Sequence, residues 1–166
     1  MAKSLSPGIT GPSTDLVFTP TELAASIINH LPLTGKVLDP SRGAGAFYNQ
    51  FPAHLDKDYC EITEGKDFFD YDQRVDWVVT NPPWSLMRQF LLHGFKIADN
   101  VSYLTTVNHA FTKARINDAK QHDFWLKEIL LVDTPKAPWP QSGFQLGMIT
   151  WSKGYNGHTN ICELAI

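Results

Sequence analysis

Four consecutive residues, Asn81-Pro82-Pro83-Trp84, carry the groups needed to hold a planar nitrogen base. They follow an apolar run at residues 75–80, which predicts a buried strand. Proline lacks the N–H that a β-ladder needs, so two prolines force the chain out of the sheet at the end of this strand. An amide that accepts from an amino group, and an indole that stacks on its ring, are then presented at the carboxyl edge, where open α/β sheets bind ligands. A structural turn with a buried Trp is the alternative.

A glycine-rich turn follows the short apolar strand predicted at residues 36–38. Asp39 stands at the tip of this strand, and Ser41, Gly43 and Gly45 belong to the turn. Glycines let the backbone approach a ligand closely, and an acidic residue before such a turn is typical of a ligand cradle. The apolar residue after the turn predicts that a helix follows. A turn without a ligand is the alternative.

Two further carboxylates accompany a predicted strand and a pair of aromatic residues. Residues 58–62 predict a strand, and Glu61 near its end can accept hydrogen bonds from two ribose hydroxyls. Asp67 can accept from the amino group of an adenine while Phe68 or Phe69 packs on the ring. A surface carboxylate and core phenylalanines are the alternatives for these residues.

A helix is predicted near the N-terminus, after Phe18. Thr19 can cap this helix, Pro20 suits its first position, and Glu22 completes a capping box. Apolar residues then recur with helical spacing up to Leu31.

The rest of the chain continues an alternation of helices and strands. Helices are predicted after Ser85 and after Thr112. Further strands are predicted at residues 101–107, 128–132 and 147–151, with a short tail at 161–166. This order predicts a doubly wound α/β fold with a mostly parallel sheet of about seven strands, one antiparallel edge strand and helices on both faces.

The composition predicts one soluble globular domain. Of 166 residues, 43% are hydrophobic and 19% are charged, and no apolar run approaches the ~20 residues of a membrane span. Residues 1–14 predict a flexible arm, and residues 15–166 a single domain without a separate target-recognition domain. Cys60, Cys162 and the six histidines lack local metal-ligand spacing, so no metal is expected. A reduced, cytoplasmic setting is the simplest interpretation.

The charge is unevenly distributed between the two halves of the chain. The net charge is -3, with six Lys/Arg and eleven Asp/Glu in residues 1–83 against eight and six in residues 84–166. Any surface that contacts phosphates is therefore expected in the second half, although ordinary surface charge explains the same numbers.

The order of these parts resembles the class I S-adenosylmethionine-dependent amino-methyltransferases with an Asn-Pro-Pro-aromatic motif. The match covers roughly residues 17–110 and follows the gamma order of motifs, best known among DNA N6-adenine methyltransferases, with a compact form like those of phages and mobile elements. The implied fold is the Rossmann-like class I methyltransferase fold. The implied cofactor is S-adenosylmethionine, with S-adenosylhomocysteine as product.

The resemblance also implies roles for individual residues. Asn81 and Pro82 would bind the target amino group and Trp84 would stack on the target ring. The implied cofactor contacts are Phe18, Thr19, Pro20, Asp39, Ser41, Gly43, Gly45, Glu61, Asp67, Phe68 and Asn81. The expected substrate contacts are Pro83, Trp84, Asn108, His109 and Trp139. No metal takes part.

The substrate implied by the resemblance is the N6 amino group of adenine in DNA. An RNA base and the amide of a protein glutamine are alternatives, because each presents a planar amino group to the same motif. A non-catalytic module that binds the cofactor or a nucleic acid is a further alternative. The expected partner is DNA and not a membrane, and the sequence leaves monomer and dimer equally open.

Two features depart from the family pattern. Glu61 and Asp67 are so close that the helix usually found between them must be missing or reduced to a turn. Arg42 lies inside the glycine-rich turn, where a small residue is usual, and we hypothesise that it contacts the cofactor carboxylate. A solvent-facing Arg42 is the alternative.

Overall fold

The computed structural model describes residues 17–165 and is built around one seven-stranded sheet. The strand order is β2-β1-β3-β4-β6-β5-β7. The strands are β1 Lys36–Asp39, β2 Asp56–Tyr59, β3 Val75–Thr80, β4 Ala98–Thr106, β5 Phe124–Val132, β6 Leu146–Lys153 and β7 Asn160–Glu163. The helices are α1 Thr21–His30, α2 Met87–Ile97 and α3 Lys113–Gln121.

The predicted mostly parallel sheet of about seven strands is confirmed. Strands β1 to β4 pair in parallel, and β7 pairs in parallel with β5. The single antiparallel strand is β6, which lies between β4 and β5 instead of at the edge of the sheet. The carboxyl ends of β1, β3 and β4 therefore meet at one edge, and the turns that follow them lie side by side.

Two apolar clusters cover the two faces of the sheet, which confirms the predicted placement of helices. Helix α1 buries Ala24, Ile27 and Ile28 on one face, together with alternate residues of β3 and β4. Helices α2 and α3 cover the other face, and α2 buries an almost continuous stripe that includes Phe90 and Phe95. Alternating strand residues thus supply both cores.

The predicted helix after the glycine-rich turn is wrong. Phe47 is buried as an apolar anchor, but only a single 3-10 turn, Tyr48–Gln50, follows it. Pro52 has no N–H to donate and its ring would clash with the carbonyl of Tyr48 in an α-helix, so the helix cannot propagate.

The predicted shortening between Glu61 and Asp67 is confirmed. Strand β2 ends at Tyr59, two residues before Glu61, which caps the 3-10 turn Ile62–Glu64. A bridge between Glu61 and Lys66 closes the connection. The chain turns back immediately, and β2 forms one edge of the sheet.

Several predicted boundaries need correction. Helix α1 begins at Thr21 with the extended Pro20 in the cap position, so Thr19 is not its cap. Helix α2 begins at Met87, after a 3-10 turn at Trp84–Leu86, and runs directly into β4. The predicted cap of α3 is confirmed, because Thr112 accepts from the Arg115 N–H.

The predicted tail at residues 161–166 is also wrong, since β7 pairs with β5 at the second edge of the sheet. The predicted arm at residues 1–14 lies outside the described residues, and the absence of a recognition domain stays a prediction. Among residues 17–165, no helix is long and apolar enough to cross a membrane.

The Gly94→Ala substitution tests the close packing of α2 on β4. A β-carbon at this position would lie 2.9 Å from the Tyr103 hydroxyl and 3.1 Å from Val101. Alanine gains about 1 kcal/mol of helix propensity, but overpacking costs typically 1–3 kcal/mol. We expect a net loss of about 1 kcal/mol in the free energy of unfolding, measured by urea denaturation. The exposed Gln89→Ala on the same helix should stay within about 0.5 kcal/mol of wild type; a stabilised Gly94→Ala would contradict the packing argument.

Candidate active site

A cavity of about 470 Å³ lies at the carboxyl edge of the sheet, beside the turns that follow β1, β2 and β3. Cavities of this size are typical of small-molecule and cofactor sites. Its walls include seven residues that the sequence analysis assigned to cofactor or substrate, namely Phe18, Thr19, Ser41, Gly43, Glu61, Asn81 and Pro83. Further wall residues include Arg42, Ala44, Phe47, Ile62 and Thr63.

The glycine-rich turn can take its shape only with glycine. Gly43 and Gly45 have positive φ angles of 53° and 88°, in the left-handed region that side chains disfavour. A β-carbon on Gly43 would lie 3.3 Å from the ring of Phe18, and one on Gly45 would lie 2.8 Å from the Asn49 amide nitrogen. Gly43 lines the cavity, and its close approach to a cofactor stays a prediction.

Glu61 is fixed at the cavity wall by its neighbours. Its Oε2 accepts from the Gly43 N–H at 2.8 Å, and its Oε1 accepts from the N–H and hydroxyl of Thr63 at 3.1 and 2.7 Å. Partial burial acts to raise the pKa of Glu61, but the hydrogen bonds from Thr63 and Gly43 outweigh it and hold the pKa below its ordinary value. The carboxylate is ionised at neutral pH and retains lone pairs for a further donor.

Ile62 is a cavity residue that the sequence analysis missed. It follows Glu61 directly, lines the cavity and is 67% exposed. An apolar side chain so exposed beside a fixed carboxylate offers a flat ring a surface to pack against. The available signal was an apolar residue placed immediately after the acid at the strand end.

Asp39 lies beneath the turn and is not part of the cavity wall. It is buried, and its Oδ1 accepts from the Thr80 hydroxyl at 2.7 Å and from the Ser41 N–H at 3.2 Å. The Ser41 hydroxyl in turn donates to the Asn81 carbonyl at 3.2 Å and lies 2.9 Å from the Thr80 hydroxyl. Burial raises the pKa of Asp39 to about 7. This network joins the turn after β1 to the turn after β3.

The Asn81 amide is oriented by the chain itself. Its Nδ2 donates to the Val17 carbonyl at 3.0 Å. This hydrogen bond fixes the orientation of the side chain, whose Oδ1 is the acceptor atom. Val17 and Asn81 both line the cavity. A hydrogen-bond acceptor is therefore held at the cavity wall, next to the buried Pro82 and to Pro83.

Trp84 and Trp139 pack against each other with ring centroids 6.2 Å apart in an edge-to-face arrangement. Trp84 is half-buried and its Nε1 donates to the Leu104 carbonyl at 3.4 Å, a long hydrogen bond. Trp139 is only 4% exposed. The structure thus places Trp139 behind Trp84, where it supports the ring predicted to stack on substrate instead of presenting a face of its own.

Asp67 and Phe68 lie away from the cavity. Phe68 is 2% exposed and packs in the core, with its ring centroid 5.0 Å from that of Phe90 and 4.7 Å from that of His93. Asp67 accepts from the Phe69 N–H at 2.9 Å and caps a 3-10 turn. The short connection after Glu61 turns the chain back before it can carry these residues to the cavity. Of the other predicted cofactor residues, Pro20, Asp39 and Gly45 also stand outside its wall.

Arg42 lines the cavity, and its hypothesised contact with the cofactor carboxylate stays a prediction. Its guanidinium forms an ion pair with Glu64 and lies over the Tyr59 ring, 4.1 Å from the centroid. The Tyr59 hydroxyl donates to Glu64 at 2.9 Å, and the Lys66 ammonium lies 3.9 Å from the same ring. This group of four side chains flanks the cavity where the helix between Glu61 and Asp67 is missing.

Asn108 and His109 lie on the 3-10 turn Val107–Ala110 after β4, at the same edge of the sheet. Asn108 is exposed, as a substrate contact requires. Burial, aided by the nearby positive charge of Arg115, lowers the pKa of His109. Its Nδ1 is buried without a hydrogen-bond partner among the described residues.

No protein-family model and no curated protein sequence matches this chain. Several solved structures are similar to this chain. A Pyrococcus horikoshii protein to which RNA methyltransferase activity is ascribed is 20% identical, with 80% of each chain covered and a TM-score of 0.56. A Listeria monocytogenes protein described as a class I S-adenosylmethionine-dependent methyltransferase is 10% identical, with 95% of this chain and 68% of that chain covered and a TM-score of 0.66.

The 23S rRNA methyltransferase ErmE is 13% identical, with 84% of this chain and 72% of that chain covered and a TM-score of 0.63. Identities this low carry the fold and not the activity. The chain therefore has the Rossmann-like class I methyltransferase fold that its sequence predicts.

Asp39→Asn tests the buried network through its dependence on pH. The pKa of Asp39 is about 7 in the folded chain against an ordinary 3.8, so the folded state holds a proton that the unfolded state has lost. We expect the free energy of unfolding of wild type to fall between about pH 4 and 7, by at most ~1.4 kcal/mol per pH unit, and to level off above that range. Asp39→Asn, which keeps an acceptor for Thr80, should lose this part of the slope. Urea denaturation at each pH measures it, and equal slopes would count against a raised pKa.

Proposed function

We propose that this protein is an S-adenosylmethionine-dependent methyltransferase that acts on a planar amino group, the N6 amino group of adenine in DNA. The observation that carries the proposal is that one cavity joins a glycine turn and a fixed carboxylate to the oriented amide of Asn81. A cofactor cradle and an acceptor for an amino group are thus neighbours. The motif order in the sequence supports the choice of adenine in DNA.

The cavity residues fit the proposed cofactor. Glu61 keeps lone pairs that can accept from ribose hydroxyls, and Ile62 offers an apolar surface to an adenine ring. The Gly43 backbone, which a β-carbon would obstruct, allows close approach of the methionine part between Phe18 and Thr19. When bound, the cofactor supplies an electrophilic methyl group on a sulfonium and leaves as S-adenosylhomocysteine.

Asn81 and Pro82 prepare the target nitrogen. The amino nitrogen of adenine is a poor nucleophile because its lone pair is conjugated with the ring. The Asn81 Oδ1 and the Pro82 carbonyl each accept one amino hydrogen, which draws the lone pair out of conjugation. The Val17 and Ser41 hydrogen bonds hold the Asn81 amide and carbonyl in place beforehand, so little reorganisation is needed.

Trp84 receives the target base. In a duplex the N6 group is out of reach of an enclosed active site, so the base must leave the stack. Stacking on Trp84 recovers part of the lost energy, on the order of 1–3 kcal/mol. The edge of Trp139 and the Leu104 carbonyl fix the indole, which limits the entropy lost when a base docks.

Two exposed aromatic residues lie at the same edge of the sheet. Phe111, after the turn that follows β4, is 55% exposed, and Phe144, before β6, is 59% exposed. Lys113 is exposed at the start of α3, and Arg115, two residues further along, is half-buried. Aromatic platforms interleaved with cations are typical of surfaces that bind unstacked nucleic acid.

RNA is the second candidate substrate. Two of the similar structures are described as RNA methyltransferases, and their likeness to this chain extends over most of its length. The cavity and the Asn81 amide serve an adenine in RNA as well as in DNA. The amide of a protein glutamine and a non-catalytic binding module remain as outcomes of the experiment below.

Asn81→Ala should abolish methyl transfer and spare cofactor binding. Wild type and variant are expressed in a host that lacks adenine methylation, and DNA and RNA are digested separately for nucleoside mass spectrometry. We expect N6-methyladenine in DNA from wild type only. Removing the acceptor should lower the rate by at least 100-fold, while calorimetry should find a cofactor dissociation constant within about threefold of wild type.

Each other outcome has a definite meaning. Methyladenine in RNA alone would identify RNA, the second candidate, as the substrate. Equal loss of cofactor binding and transfer in Asn81→Ala would mean that Asn81 serves the cofactor cradle. Absence of both marks with intact cofactor binding would favour a protein amide as substrate, and absence of cofactor binding in wild type would overturn the proposal.

Phe111→Ala and Phe144→Ala test the proposed nucleic-acid surface. Loss of one stacking platform costs roughly 1–3 kcal/mol, so each variant should raise KM for DNA by about 5-fold or more and leave kcat within about twofold. Ile161→Ala is a matched control, because Ile161 is 61% exposed but lies on the edge strand β7. Steady-state kinetics with a methylatable oligonucleotide measures the effect. A KM equal to wild type in both Phe variants would place the substrate surface elsewhere.

A further inference from the structure

Three side chains of metal-binding chemistry converge on the face of the sheet that α1 covers. His30 lies in the last turn of α1, Glu128 on β5 and Cys162 on β7. The His30 Nε2 is 2.8 Å from the Glu128 Oε1 and 4.0 Å from the Cys162 Sγ, and all three ligand atoms lie within 4.8 Å of one another. These residues are up to 132 positions apart in the sequence, so no local sequence spacing predicts the cluster.

We propose that His30, Glu128 and Cys162 form a zinc site that ties α1 to β5 and β7. Imidazole nitrogen, carboxylate oxygen and thiolate sulfur are the three kinds of ligand that zinc takes in proteins. Tetrahedral zinc with bonds of about 2.0–2.3 Å sets its ligand atoms roughly 3.3–3.6 Å apart. The 2.8 and 4.0 Å spacings lie on either side of these values and no pair is more than 4.8 Å apart, so a movement of each ligand atom by less than about 1 Å forms the site.

The surroundings of Glu128 support a metal-binding role. Asn160 is the register partner of Glu128 on β7, and its Nδ2 donates to the Glu128 Oε2 at 3.1 Å. This leaves Oε1 directed at His30 and orients the carboxylate, as partners of metal ligands commonly do. Cys162 lies two residues after Asn160 and therefore on the same face of β7. All three ligands are partly accessible, so water can fill the fourth position.

The location gives the zinc a structural role. His30 is the last of the ten residues of α1, so it lies about 14 Å along the helix from the cavity end. Strand β7 is at the edge of the sheet and has only β5 beside it in the strand order. A metal bridge gives this strand a second attachment, through α1.

Metal titration of the full chain tests the site. The protein is stripped with a chelator, kept reduced, and titrated with Zn²⁺ against a chromogenic competitor and separately with Co²⁺. We expect one Zn²⁺ per chain, with a dissociation constant on the order of 1 μM or tighter, and a thiolate-to-cobalt charge-transfer band. Zn²⁺ should also raise the Tm of wild type.

Matched variants assign the ligands. Cys162→Ser should lose the charge-transfer band and bind Zn²⁺ at least 10-fold more weakly, and His30→Gln should weaken binding to a similar degree. Asn160→Ala, which removes only the hydrogen bond to Glu128, should weaken binding by roughly 10-fold. His54→Gln, at an exposed position away from the three ligands, should bind as wild type does.

Two results would overturn the zinc site. One is the absence of stoichiometric binding in wild type, which would leave an ion pair with an adjacent thiol. The other is equal binding by wild type and Cys162→Ser, with circular dichroism showing that both are folded. Cofactor binding should be unchanged in Cys162→Ser, so failure of this inference and failure of the proposed function are separate observations.

Discussion

One buried hydrogen-bond network connects the glycine turn after β1 to the turn after β3, which carries Asn81. Asp39 at the end of β1 accepts from Thr80 at the end of β3, and Ser41 links both to the carbonyl of Asn81. Burying a carboxyl group costs free energy unless the group is protonated or accepts hydrogen bonds. Burial raises the pKa of Asp39 to about 7, which favours the protonated form, and Thr80 and Ser41 supply donors. Because the network spans two neighbouring strands, it links the turn after β1 to the backbone of Asn81.

The sheet edge around this network is built with fewer elements than the motif order suggests. In the described part of the chain, the glycine turn is followed directly by the 3-10 turn Tyr48–Gln50 and not by an α-helix. The turn is held instead by the hydrogen bond from Gly43 to the Glu61 carboxylate. The neighbouring strand β2 is followed by a 3-10 turn and a bridge. Here the cavity wall is therefore made of short turns that are held by hydrogen bonds, where longer helices would be held by packing.

The sequence predicted the parts whose signals are local. Apolar runs ending in Asp39 and in Asn81 placed two strands and their turns, and the parallel order of these strands placed both turns at one edge. The sequence failed where an outcome depends on distant contacts. Phe68 follows Asp67, and this pair suggested a site for an adenine ring. In the structure, Phe68 packs in the core against residues of α2 such as Phe90. The tail became β7 because β5 offered an unpaired edge, which no residue within the tail encodes.

Arg42, which lines the cavity, belongs to a group of charged side chains around the Tyr59 ring, at the place where a 3-10 turn follows Glu61. Arg42 and Lys66 lie over the Tyr59 ring, and Glu64 binds both Arg42 and the Tyr59 hydroxyl. Exposed ion pairs weaken as salt is added, because the Debye length shortens to about 8 Å at physiological ionic strength. The Arg42–Glu64 contact beside the cavity therefore depends on the ionic strength of the medium, whereas the buried hydrogen bonds of Asp39 are screened much less.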